Sequence, residues 1–115
     1  MKDWTTIRER YLKDGLPTRL GGLAANLGRI RSFAVGSGSD EVVESLMDES
    51  KHFIEWTGAE AEVNTAAELV ELQVELAGWQ RVWPQIRQDA ARRDQVAKRA
   101  GIWSERVLDL SGMLS

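Results

Sequence analysis

The chain has 115 residues, enough for one hydrophobic core, and its 43% apolar and 29% charged residues are ordinary for a globular domain. No cysteine and a single histidine exclude disulfides, thiolate nucleophiles, cysteine zinc sites and any metal site that takes two histidines from one chain. The net charge is −3, no apolar run is long enough to span a bilayer, and the Met1-Lys-Asp-Trp-Thr-Thr start carries no apolar secretion segment.

Two prolines among many Ala, Leu, Glu and Arg residues favour helix, and apolar residues recur with helical rather than alternating period. A first helix is expected from Asp3 or Thr5, with Thr6-x-x-Glu9 as a capping box, Trp4, Ile7 and Tyr11 on one face, and Gly15 as a left-handed stop. Pro17 suits the first turn of a second helix. There Leu16, Leu20, Leu23, Leu27, Ile30 and Ala34 form a heptad-like seam, flanked by a small-residue stripe of Gly21, Ala25, Gly28 and Ser32. Glycine inside a helix is unfavourable by about 1 kcal/mol relative to alanine. Close approach of another helix or a bulky indole is the compensation expected.

Gly36-Ser-Gly-Ser-Asp40 reads as a connector, after which Ser39 or Asp40 caps a helix ending at Gly58. Its seam is Val43, Leu46, Ser50, Phe53 and Thr57, widened by Met47 and Ile54. Thr65-x-x-Glu68, or Asn64 alone, should cap the longest helix, whose seam is Leu69, Leu72, Leu76, Trp79, Trp83 and Ile86. A parallel set, Val63, Ala67, Val70, Val74 and Ala77, is expected to widen that buried face. The seam keeps its phase across Pro84, which predicts a kinked helix rather than two helices. Residues 88–95 lack a large apolar side chain and read as either solvated helix or turn. A final seam runs Val96, Ala100, Trp103, Val107, Leu110 and Leu114, with Gly112 as its stop. The expected fold is one all-α domain over 1–115, an antiparallel bundle of four to five helices with one long helix kinked at Pro84.

Charge lies in blocks: residues 1–35 carry +4, residues 36–75 carry −10 and residues 76–115 carry +3. An acidic central section laid against two basic flanks explains this internally; a basic face turned to a partner is the alternative. Arg92, Arg99 and Arg106 recur every seven residues on one helix face, with Arg93 and Lys98 nearby, and would contact phosphates if the protein bound nucleic acid. The acidic isoelectric point of about 5.2 argues against that use.

Glu49-Ser-Lys-His52 has the Glu-x-x-His spacing of carboxylate-bridged metal bundles, but a second copy is missing, so only a dimer would complete such a site. Nucleophile elbows and phosphate-binding glycine loops are absent from the sequence, so no enzymatic activity and no cofactor are expected. Four of the five tryptophans fall on seams. Trp56, near a helix end, is the candidate interface anchor.

The segments Leu16-Pro-Thr-Arg-Leu-Gly-Gly-Leu-Ala-Ala-Asn-Leu-Gly-Arg-Ile-Arg-Ser-Phe33, Phe53-Ile-Glu-Trp56 and Trp103-Ser-Glu-Arg-Val-Leu108 resemble a small uncharacterised family of all-helical cyanobacterial proteins. The resemblance implies a cytoplasmic protein and carries over no catalytic residue. The function expected is that of a non-enzymatic interaction or scaffold protein acting as a homo-oligomer, with Trp56, Gly21, Ala25 and Gly28 as contact residues. The alternatives are nucleic-acid binding through Arg92, Arg99 and Arg106, or a metal held by Glu49 and His52 across a dimer.

Overall fold

Asp3 opens the first helix by accepting the N–H of Thr6, and its second oxygen takes the Thr6 hydroxyl at 2.7 Å. The helix thus starts beside Asp3, one of the two starts expected, and Thr6 lies in its first turn rather than capping it. The computed structural model describes residues 2–36 and 38–112, and among them are five helices. These are α1 (Trp4–Leu12), α2 (Leu16–Val35), α3 (Asp40–Gly58), α4 (Val63–Ile86) and α5 (Ala90–Ser111). Leu114, expected on the last seam, lies outside the described residues.

Helices α2 to α5 run alternately up and down and close into a four-helix ring, α5 returning against α2. The antiparallel sense shows in pairs of contacts that run in opposite directions along neighbouring helices: Lys51 with Gln73 and Asp48 with Gln80 across α3–α4, Glu75 with Arg99 and Glu68 with Arg106 across α4–α5, and the carbonyls of Ala24 and Ala34 with Ser104 and Arg93 across α2–α5. Helix α1 lies outside the ring against α3, where the Tyr11 ring stacks on Phe53 at 4.0 Å.

The expected seams are the core. Leu20, Leu23, Leu27, Ile30 and Ala34 of α2 and all six seam residues of α4 are buried. Removing each large aliphatic side chain from water contributes roughly 1.5–3 kcal/mol. Helix α5 comes closest to α2, where small residues face each other. Ser104 donates to the Ala24 carbonyl at 2.8 Å, and Gly101 leaves room for the Arg31 side chain, which a β-carbon there would meet at 2.9 Å.

Several boundaries differ from the sequence reading. Gly15 is extended, not left-handed, and precedes α2, while α1 ends at Leu12 with Lys13 as its C-cap. Helix α4 starts at Val63, ahead of the Thr65 box, with no side-chain capping bond from Glu62, and Glu68 pairs with Arg106 of α5. Helix α4 is continuous through Pro84, one helix rather than two as expected, and runs on to Ile86 with Pro84 in its last turn. The polar stretch at 88–95 resolves into a turn and the start of α5. Asp89 caps it by accepting the N–H groups of Ala91 and Arg92. Gly112 ends α5 at φ 73°, the left-handed stop expected of it.

Each pole of the bundle is closed by a buried arginine. At one, Arg93 donates to the carbonyls of Ala34 (2.8 Å), Gly36 and Arg87 (3.0 Å) and to the Asp40 carboxylate (2.7 Å). Its guanidinium lies over the Trp83 ring, whose indole N–H donates to the Asp40 carbonyl. At the other pole, Arg19 donates to the Asp14 carbonyl and forks onto Glu60 at 2.7 and 3.2 Å. The Tyr11 hydroxyl donates to the Arg19 carbonyl and takes a bond from Thr57, and burial pushes its pKa up to about 12.

Arg93→Met would leave three carbonyls and a carboxylate without their donor and should destabilise the fold by roughly 3–5 kcal/mol in urea denaturation. Arg93→Lys keeps the charge but not the fork, and should recover less than half of the loss. Wild-type stability in Arg93→Met would show that water satisfies these groups equally well.

Candidate interaction surface

Successive residues of a helix turn by 100°, so the two apolar sets of α4 point in opposite directions. Leu69, Leu72, Leu76, Trp79, Trp83 and Ile86 face the core. Val63, Ala67, Val70, Val74 and Ala77, expected to be buried beside them, face solvent instead. Val63 is 81% exposed, Val70 56% and Val74 68%, which no peripheral core position would be. The stripe is about 21 Å long at a rise of 1.5 Å per residue, and Arg81 continues its line.

Both edges of the stripe are tied down. On the α5 side, Arg106 forks onto Glu68 at 2.6 Å through both nitrogens, and Arg99 forks onto Glu75 at 2.9 Å. The Trp103 indole N–H adds a third bond to Glu75 at 3.0 Å. The hydrogen bonds from these arginines hold the Glu68 and Glu75 carboxyls below their ordinary range. On the α3 side, Gln80 reaches the Asp48 carboxylate and Gln73 the Lys51 carbonyl. Between these edges, Glu71 and Arg81 are exposed and belong to none of the ion pairs among the described residues.

The residues singled out in the sequence are dispersed. Gly28 faces α5 of its own chain, where a β-carbon would lie 3.7 Å from the Ser104 hydroxyl. Gly21 and Ala25 line a groove of about 560 Å³ together with Tyr11, Asn26, Glu49 and Phe53. Trp56 is half-buried among rings, its centroid 5.6 Å from His52, 5.9 Å from Tyr11 and 6.2 Å from Trp4. Arg92 is exposed, whereas Arg99 and Arg106 are engaged by α4 carboxylates, which a phosphate would have to displace.

Glu49 and His52 serve different contacts. Glu49 takes bonds from Lys2 at 3.3 Å and Asn26 at 3.0 Å. The His52 ring stacks flat on Trp4 at 3.8 Å, and its Nδ1 lies 2.9 Å from the Asp48 carbonyl. Among the described residues no three His, Cys, Asp or Glu side chains are grouped to hold a metal. No helix among them is long and apolar enough to cross a membrane.

The sequence pattern itself carries a signal for the exposed stripe. Two stripes half a turn apart cannot both face one core. A helix apolar on opposite sides is either surrounded or bears a contact face.

Two outcomes follow from this geometry. Gly28→Ala fits the ordinary contact with Ser104 and should raise stability by up to about 1 kcal/mol, while Gly28→Leu should lower it by roughly 1–3 kcal/mol by displacing Ser104 from Ala24. Equal stability of the two variants would disprove close α2–α5 packing at this point. The Glu68 and Glu75 carboxyls titrate lower folded than unfolded, so their stabilisation is complete above about pH 4.5 and disappears as the pH falls through their lowered values. A Glu68→Gln/Glu75→Gln variant should therefore melt a few degrees below wild type at neutral pH and level with it in strong acid, both read by circular dichroism.

No protein-family model, curated protein or solved structure matches the chain.

Proposed function

We propose that the protein is a non-enzymatic helical interaction protein that acts as a homo-oligomer. The observation that carries this reading is the solvent-facing apolar stripe of α4. Five aliphatic side chains at heptad-like spacing lie opposite the core, on a helix whose inward face is already filled and whose flanks are tied to α3 and α5. Valine is both a poorer helix former and a less soluble surface residue than the Glu, Lys or Gln that such positions ordinarily carry. A continuous apolar helix face of this kind is the usual element by which one helical domain meets another.

The internal use of charge supports the same reading. Five ion pairs consume much of the block asymmetry, and those on α4 line one edge of the stripe. What α4 offers outward is aliphatic surface rather than a field of one sign. A nucleic-acid reading has less to draw on, since two of its three arginines are forked onto carboxylates.

The test is mass against concentration by light scattering or native mass spectrometry. The expected result is a species of two or more 12.9 kDa chains that dissociates on dilution. Val70→Lys/Val74→Lys should raise its dissociation constant by roughly tenfold or more with unchanged thermal melting of the single chain. A bare monomer at the highest attainable concentration would refute the reading.

A further inference from the structure

We infer that the α4 stripe takes a second copy of the same helix, antiparallel, with Arg81 of each chain paired to Glu71 of the other. The inference rests on the homo-oligomer reading and adds the occupant, its direction and its register. It is carried by charge. Glu71 and Arg81 both border or continue the stripe, both are exposed, and neither has an ion-pair partner among the described residues. They stand ten residues apart, about 15 Å along the helix. They are therefore too far apart to pair within one chain.

A parallel copy would set Glu71 beside Glu71 and Arg81 beside Arg81. An antiparallel copy sets opposite charges together twice, through one two-fold axis, and also opposes the two helix dipoles. Aligning Arg81 with Glu71 of the partner subunit fixes the register. Val74, Ala77 and Gly78 then lie nearest the crossing. Ala77 is small, and Gly78 has nothing within 4 Å of where a β-carbon would stand, so neither obstructs close approach. The aliphatic stem of Arg81 covers Val70 of the partner subunit, and Ala67 meets the end of α4 near Pro84 and Gln85 of the partner subunit. Apolar surface supplies the attraction in this arrangement, and the two charge pairs select direction and register.

The absence of native cysteine makes disulfide trapping clean. Ala67→Cys and Gln85→Cys chains are mixed and oxidised, and the bridged peptides are identified by mass spectrometry. The register brings residue 67 of one chain opposite residue 85 of the other. Two copies of residue 67 lie about 27 Å apart, far beyond the reach of a disulfide. The expected product is the mixed 67–85 bridge, with homodisulfides at background. In parallel, Arg81→Glu should weaken association about tenfold at low salt, and adding Glu71→Arg to the same chain should restore it, since both positions are exposed and melting stays unchanged. A dimer that forms 67–67 bridges, or that forms none and ignores the charge exchange, overturns the antiparallel α4 contact while leaving the homo-oligomer reading intact. A chain that is monomeric throughout overturns both.

Discussion

The Arg93 guanidinium is the interaction on which the rest of the arrangement depends. The last carbonyls of α2 and α4 have no partner within their own helices, and the N-terminus of α3 begins beside them. One planar cation satisfies Ala34, Gly36 and Arg87 and neutralises Asp40. Buried charge is tolerated only when its donors are occupied, and here the Trp83 face covers what the carbonyls leave. Asp89 sets this up by starting α5 at Ala90, so that the fourth residue of the helix turns back into the bundle. The neighbouring position then follows from helical geometry. With Arg93 directed inward, the face bearing Arg99 and Arg106 turns toward α4, where Glu75 and Glu68 receive it.

Arg19 plays the corresponding part at the opposite pole, joining the α1–α2 turn to Glu60 in the α3–α4 turn. The two poles thus hold a buried cation each, paired to a more exposed carboxylate, and the long sides carry the remaining acid–base pairs. The charge blocks of the sequence are complementary within one chain: the acidic section supplies Asp40, Glu49, Glu60, Glu68 and Glu75, and the basic flanks supply Arg93, Lys2, Arg19, Arg106 and Arg99. Exposed pairs contribute little stability one by one. Their collective effect on α4 is to bind α5 along one edge of the solvent-facing stripe.

Helical period made the core legible. Every seam residue of α4 is buried, as are Val43, Ser50, Phe53 and Thr57 of α3, because each seam repeats often enough to define a direction. Boundaries were less legible, since several residues compete for each cap. Asp3 and Thr6 both qualify at α1, and it is the Asp3 carboxylate that caps the helix, accepting the Thr6 N–H. Arg93 could not be told from Arg92 by composition; its burial depends on carbonyls contributed by residues 34, 36 and 87, which sequence alone does not bring together. Gly28 was legible as a close-packing residue, though its neighbour Ser104 comes from a helix 80 residues from Ala24, to whose carbonyl it bonds. The α4 stripe was read with its direction reversed, because period gives the phase of a stripe and not the number of helices available to cover it.

That last difference bears on why the stripe exists. Four helices around one core give each helix a single inward face, and α4 fills its own with six large side chains. A second aliphatic face adds nothing to this core. Val70 and Val74 lower the intrinsic helix propensity of α4 and expose apolar surface to water, and both effects oppose folding of the lone chain. Glu71 and Arg81 lie along the same face without, among the described residues, the counter-ions that Glu68 and Glu75 have found in α5. Aliphatic surface and unpaired opposite charges, placed together on one helix and separated by a fixed distance, are satisfied at once by a reversed copy of that helix. Neither feature is satisfied by the chain's own core.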